Sequence, residues 1–275
     1  KEGQKYLAAY CVISGKDEHK DVYSENEEQD FVHDWESLYQ DVYEENIDDK
    51  INTFDISGWN SSFTGEDIPE EEMGEWVDAT IDRIVSFGPK NILEVGCGSG
   101  LLLYPLVSNC KSYTGIDFSK NTINKLQTSF EKLSITNALV EVGYANQLDK
   151  VNLGVNQEPI DTIVINSVAQ YFPNQSYLDE VIEQAVYKIN KGRIIIGDVR
   201  DYRLLDTFHV AIQLYKSDGS INWSEMKSIA AYDAKREREL LVDPIYYINL
   251  KEKYPTIKHV EILPKSGRAN HEMNR

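Results

Sequence analysis

Three glycines at alternate positions, Gly96, Gly98 and Gly100, follow the apolar run Ile92-Leu-Glu-Val95. An acid, Asp117, closes a second apolar run seventeen residues later. Glycine lets a chain turn tightly and bring its backbone close to a ligand, and a helix starting at Leu101-Leu-Leu-Tyr104 aims unpaired N–H groups at the same spot. An acid at the end of the neighbouring strand is placed to accept the hydroxyls of a ribose. Together these residues imply nucleotide binding. The usual dinucleotide fingerprint would need a third glycine at position 101, where Leu101 stands. The cradle therefore suits a ligand with no pyrophosphate.

The elements that must position these residues follow from periodicity. Strands are expected at Ile92–Val95, Ser112–Ile116, Leu139–Val142, Thr162–Asn166 and Arg193–Asp198, with helices between them near Leu101–Val107, Lys120–Lys132 and Tyr177–Ile189. Such alternation predicts an α/β fold with a doubly wound, mostly parallel sheet, whose ligand lies beyond the carboxyl ends of the strands. Upstream, Ile68-Pro69-Glu-Glu-Glu-Met73 starts a helix with a stripe of Met73, Trp76, Val77, Thr80, Ile81 and Ile84, ending at Gly88-Pro89. Phe31, Trp35, Leu38, Tyr39 and Val42 predict another helix over 31–45. Beyond Arg200 the pattern is helical to about Tyr215. Glu239–Leu250 reads as a helix broken at Pro244, and Ile257–Leu263 as a last strand.

At 275 residues and 41% hydrophobic content, one large domain with its own core is expected. The net charge is −18, and residues 16–50 carry fourteen acids against three lysines. That balance excludes a nucleic-acid backbone as partner, since phosphates are neutralised by Lys and Arg. Residues 16–30 read as an acidic linker. No apolar run is long enough to span a bilayer and the first residues are no signal sequence, so a cytoplasmic protein is expected. Cys11, Cys97 and Cys110 have neither metal-ligand spacing nor the density of a disulfide framework. No metal site is expected.

The motif Glu94-Val-Gly-Cys-Gly-Ser-Gly100 resembles the first motif of class I S-adenosylmethionine-dependent methyltransferases. Tyr113-Thr-Gly-Ile-Asp117-Phe118-Ser119 resembles their second strand with its ribose-binding acid. Val142-Gly-Tyr144-Ala145-Asn146 resembles the turn that flanks adenine, and Asp161–Pro173, with Asn166, Gln170 and Tyr171, the fourth strand and the loop over the methyl donor. A narrower resemblance, to methyltransferase domains embedded in nonribosomal peptide synthetases and hybrid polyketide lines, is carried by Trp59-Asn-Ser-Ser62-Phe-Thr-Gly65, Gly197-Asp198-Val-Arg200, Thr207–Leu214 and Gly267–Arg275. Lys5–Val12 is similar to the end of an adenylation subdomain. The resemblance implies a remnant of that subdomain over 1–15, an N-terminal helical cap over 31–88, a Rossmann-like cofactor-binding core over 89–200, and lid helices with a final strand over 201–275. It also implies a piece of a megasynthase that stops before its closing strand.

The resemblance implies S-adenosyl-L-methionine as cofactor, with S-adenosyl-L-homocysteine as product, and a set of cofactor contacts: Glu94, Gly96, Gly98, Gly100, Asp117, Phe118, Tyr144, Ala145, Asn166, Gln170 and Ser62. A sulfonium methyl needs a nucleophile aligned with the S–CH3 bond and free of its proton, so positioning and a base share the work. His209 is the leading base, because histidine titrates near neutrality and a family-like segment carries it; a hydrogen-bonded structural histidine is the alternative. Tyr171 and Glu272 are the other catalytic candidates. Asp198 and Arg200 read as an ion pair, and Trp59, Ser62 and Phe63 as a cover over the cofactor or simple helix packing. The implied activity is N-methylation of an aminoacyl thioester on a carrier protein's phosphopantetheine arm, beside a flanking adenylation domain. O-methylation of a tethered hydroxyl or enol, and a catalytically silent docking module, are the alternatives.

Overall fold

Asn91–Val95 (β1) is buried at every position, and so are Ser112–Asp117 (β2) and Thr162–Asn166 (β4). Strands buried on both faces belong in the middle of a parallel sheet with helices on either side. In the computed structural model, which describes residues 51–152, 154–269, 271 and 273, Ala138–Val142 (β3) and Arg193–Gly197 (β5) complete that sheet. Its order is β3-β2-β1-β4-β5 and every pairing is parallel. The strand order reverses between β1 and β4, which places the crevice for a ligand at their carboxyl ends.

Each helix is set by local signals. Glu70–Ser86 (α1) starts after Pro69 with three acids in its first turn and buries Met73, Trp76, Val77 and Ile84. Leu103–Leu106 (α2) is one turn, shorter than its apolar run suggests, because the chain tightens into a 3-10 turn at Val107–Asn109. Lys120–Leu133 (α3) is capped by Ser119, whose hydroxyl accepts the Thr122 N–H. Gln175–Lys188 (α4) is capped by Asn174 through the Tyr177 N–H. Helices of both faces close separate apolar clusters, one around Ile163, Ile165, Leu178 and Val181, the other around Ile92, Leu103, Leu106 and Ile123. Each such buried aliphatic side chain stabilises the fold by roughly 1.5–3 kcal/mol.

After β5 come the short strand Arg200–Asp201 (β6), helices Leu205–Lys216 (α5) and Trp223–Ala234 (α6), the strand Leu241–Val242 (β7) paired with β6, and helix Pro244–Lys253 (α7). Pro244 opens α7 where a break was expected: its missing N–H costs nothing in a first turn, and the Asp243 carboxylate caps Ile245 N–H at 2.9 Å. Residues 257–263 form no strand, in contrast to the sequence pattern. Ile262 and Leu263 are exposed, and no sheet edge takes up their backbone. The paired Arg200–Asp201 and Leu241–Val242, and helix α6, were not legible as elements: two residues are too few for periodicity, and the apolar positions of α6 spread around its circumference. The adenylation-like start, the acidic linker and the helix expected over 31–45 lie outside the described residues. Among the described residues no helix is long and apolar enough to cross a membrane.

Candidate active site

The glycine turn is built by backbone geometry. Gly96, Gly98 and Gly100 all have positive φ, at 73°, 46° and 92°, a region that side chains strain. Gly96 and Cys97 N–H donate to Ile116 O, and Gly98 N–H donates to Asp117 Oδ2 at 2.9 Å. Asp117 Oδ1 accepts Ser119 N–H at 2.9 Å. The carboxylate is thus fixed at the end of β2. Burial pushes its pKa up, opposed by those two N–H donors.

A pocket opens at the strand ends, lined by Glu94, Gly96, Gly98, Asp117, Phe118, Tyr144, Ala145, Asn166 and Tyr171 among the expected cofactor and catalytic residues, and also by Trp59, Trp76, Ser167, Val168, Phe172 and Tyr177. One end carries Asp117, Phe118 and Tyr144. The other carries the tip of β4. Glu94 is 3% exposed and accepts the Tyr113 hydroxyl at 2.6 Å. Burial raises its pKa to about 8, with the Tyr113 hydrogen bond pulling down and Asp117 adding to the rise. Burial also pushes the Cys97 thiol up, so it is no thiolate nucleophile.

Other expected site residues sit elsewhere. Gly100 lies at the turn into α2, its N–H on Cys97 O. Gln170 is buried beneath the lid, its carbonyl accepting Leu240 N–H at 2.7 Å while Oε1 has no hydrogen-bond partner among the described residues. Ser62 belongs to a small hairpin, residues 59–68, closed by an Asn60–Asp67 bridge. That hairpin places Trp59 in the pocket wall and Phe63 edge-on against Phe208 and Tyr215 of α5. His209 is buried on α5, outside the pocket wall, its Nε2 3.5 Å from Glu237 Oε2. Glu272 and Asn270 lie outside the described residues.

The ion pairing expected between Asp198 and Arg200 is not formed. Arg200 reaches the turn between α6 and β7 and pairs with Glu237 at 2.6 Å and Glu239 at 3.0 Å, its guanidinium over the Phe208 ring. Asp198, two residues earlier, has φ of 60° and points the opposite way, to Lys265, Trp76, Asn166 and Ser167. Trp76 and Ser167 in the pocket wall were missed as site residues. Trp76 read as a core position of α1, and Ser167 carried no signal beyond its place after β4.

These residues fit S-adenosylmethionine. A buried carboxylate at the end of β2 suits ribose hydroxyls, Phe118 and Tyr144 offer flat apolar faces to a base, and the glycine turn leaves backbone space for the amino-acid end. Among the described residues no cluster of His, Cys, Asp and Glu could hold a metal ion.

Residues 86–239, more than half of the chain, match the family model described as a methyltransferase domain. Chondramide synthase of Chondromyces crocatus is 36% identical over 250 residues, 90% of this chain and 6% of that protein. Enniatin synthase of Fusarium equiseti is 33% identical over 285 residues, 99% of this chain and 9% of that protein. The chain therefore spans under a tenth of the length of either synthase. The magnesium protoporphyrin IX methyltransferase of Synechocystis PCC 6803, solved with bound S-adenosylhomocysteine, shares the fold at a TM-score of 0.50 and 15% identity, covering 82% of this chain and 88% of that one. With the sheet order, the glycine turn and the strand-end acid in place, the family match settles the class: the chain belongs to the methyltransferase domain family and is an S-adenosylmethionine-dependent methyltransferase.

Proposed function

We propose that the chain N-methylates the amine of an aminoacyl group held as a thioester on a carrier protein, working beside an adenylation domain in a peptide synthetase. The observation that carries this reading is the reach of the similarity. Two synthases match 90% and 99% of the chain, well past the 86–239 segment matched by the methyltransferase-domain family model. The 99% match takes in the hairpin of residues 59–68, which gives Trp59 to the pocket wall, and the chain after residue 239.

When bound, S-adenosylmethionine supplies a methyl group on a sulfonium. The chain's own residues do the rest. The glycine turn and Asp117 hold the nucleoside, and Trp59, Trp76, Tyr171 and Phe172 wall off water at the other end. Gln170 lies under the lid beside them. An amine must be free of its proton to attack, and it sheds one afterwards. His209 of α5 is the base in this reading, a role that needs α5 to turn toward the pocket, since its Nε2 lies outside the pocket wall and 3.5 Å from Glu237 Oε2. Tyr171, in the pocket wall, and Glu272 are the substitutes for this role.

The test is mass spectrometry of carrier protein loaded in turn with aminoacyl and hydroxyacyl groups, after incubation with S-adenosylmethionine. A methyl located on nitrogen of the aminoacyl carrier is expected. Methyl found on oxygen alone overturns the acceptor. Equal turnover of the free amino acid overturns the carrier, because tethering should raise the effective concentration.

A further inference from the structure

Asp198 sits just beyond β5, its side chain 5% exposed, in a left-handed conformation that a non-glycine residue adopts at a cost. Ser167, just beyond the neighbouring β4, has φ of 58° and is strained in the same way. Its hydroxyl donates to Asp198 Oδ2 at 2.5 Å, and Asn166 Nδ2 donates to the same oxygen at 2.8 Å. Trp76 Nε1 donates to Oδ1 at 3.4 Å, and the Lys265 amine contacts Oδ1 directly. Three of these four donors, Asn166, Ser167 and Trp76, line the donor pocket, whereas Asp198 and Lys265 stand behind that wall. The β4 tip lies two strands from Asp117, roughly 10 Å at normal strand spacing, and in the proposed reading it is the acceptor's end of the pocket.

Lys265 also opens a strap, residues 265–269, that is tied to α1. The Glu75 carboxylate of α1 accepts Arg268 N–H at 2.7 Å and Ala269 N–H at 3.0 Å. Met273 packs into the cluster of Ile68, Met73, Trp76, Val77 and Leu101. The Lys265 amine lies 5.4 Å from the centre of the Trp76 ring. Burial lowers the Lys265 pKa to about 7, with Arg83 adding repulsion, and the touching Asp198 carboxylate works in the opposite direction by favouring the charged amine. A buried carboxylate left with neutral donors only would lack its counter-charge, so removing the lysine should loosen the arrangement.

We propose that Asp198 and Lys265 are positioning residues for methyl transfer: the pair holds Asn166 and Ser167 at the acceptor end of the pocket, and makes that geometry depend on the seating of residues 265–269 on α1. The two left-handed residues at adjacent strand tips are held by this set of bonds, which aims two pocket-wall side chains at one place. The inference rests on methyl transfer, and it holds for a nitrogen or an oxygen acceptor.

The experiment compares Lys265→Met, Lys265→Arg and Ser167→Ala with the wild-type chain. It measures single-turnover methylation at saturating donor, S-adenosylhomocysteine affinity by calorimetry, and the unfolding midpoint. The acceptor is whichever loaded carrier the wild type methylates, so a wrong acceptor shows in the wild type and a wrong latch shows in the variant ratios. Lys265→Met should lose at least tenfold in rate with product affinity within threefold of wild type. Lys265→Arg should recover to within threefold, and Ser167→Ala should lose three- to tenfold. A Lys265→Met rate within twofold of wild type overturns the proposal. So does an arginine variant as slow as the methionine variant, or a rate loss that merely follows a lowered unfolding midpoint. Should Lys265→Met not fold, Ser167→Ala decides alone, and a wild-type rate in it overturns the proposal.

Discussion

The Asp117 end and the β4 end of this pocket, the proposed donor and acceptor ends, are built differently. At the Asp117 end the contacts are backbone: three positive-φ glycines, N–H groups bonded to Ile116 O, Cys97 O and the Asp117 carboxylate, and that carboxylate pinned by Gly98 and Ser119 N–H. At the β4 end they involve side chains from α1, the β4 and β5 tips and the segment after α7, joined across as many as 194 residues in the Ala269–Glu75 bond. A backbone site tolerates little change in shape. A side-chain network can lose one member and keep its fold, so its failures should show in rate before they show in binding.

That contrast is open to direct attack. The largest effect is expected for Gly98→Val. A β-branched side chain at φ of 46° is strained and also fills the cradle. Affinity for S-adenosylhomocysteine should fall beyond calorimetric detection while circular dichroism stays close to wild type, and unchanged affinity would misplace the donor site.

Next comes His209→Ala on the acceptor side. If the imidazole takes the substrate proton, single-turnover methylation should fall roughly a hundredfold with product affinity little changed. A wild-type rate would pass the role to Tyr171 or Glu272.

Asp117→Ala should fall between the two in kind, costing the donor about 1.5–3 kcal/mol, or roughly ten- to 150-fold in Kd, through lost charge-assisted hydrogen bonds. Calorimetry that gives less than a threefold change would remove Asp117 from the ribose. A Gly98 N–H left without its acceptor would add to the measured loss, and Asp117→Asn, which retains an acceptor oxygen, separates the two contributions.

The last effect bears on stability alone and concerns pH. Glu94 is held protonated by burial, its pKa raised to about 8. A carboxyl raised on folding contributes stability that is fully present below its unfolded pKa and is lost as pH rises through its folded one. Wild-type stability should therefore decline between about pH 4.5 and 8, by at most about 1.4 kcal/mol per unit from this group. Glu94→Gln keeps the Tyr113 hydroxyl bond and should flatten that slope in thermal melts of the ligand-free chain. An identical slope in both proteins would show that Glu94 does not titrate in this window.

The donor half was legible in the sequence because its signals are local. Val95, Gly96, Gly98 and Asp117 are ordered by strand periodicity and by turns that glycine alone adopts easily, and the apolar runs Asn91–Val95 and Thr162–Asn166 leave their strands no place except the sheet centre. Even Ser119 and Asn174 act on helices that begin at the next residue. Two partnerships were beyond reach. Asp198 and Arg200, two residues apart and opposite in charge, read as a pair, yet the left-handed turn at Asp198 sends one to the pocket wall and the other to the lid. His209 read as facing the donor, and packing of α5 on the lid core decides that it meets Glu237. Likewise the alternation over 257–263 pairs with no strand among the described residues. Periodicity determined the sheet, its crevice and the nucleoside cradle, because each depends on neighbours within a turn or a strand. The tertiary structure alone decided which charges meet across the acceptor end, because contacts separated by tens of residues are selected by packing and leave no local pattern in the chain.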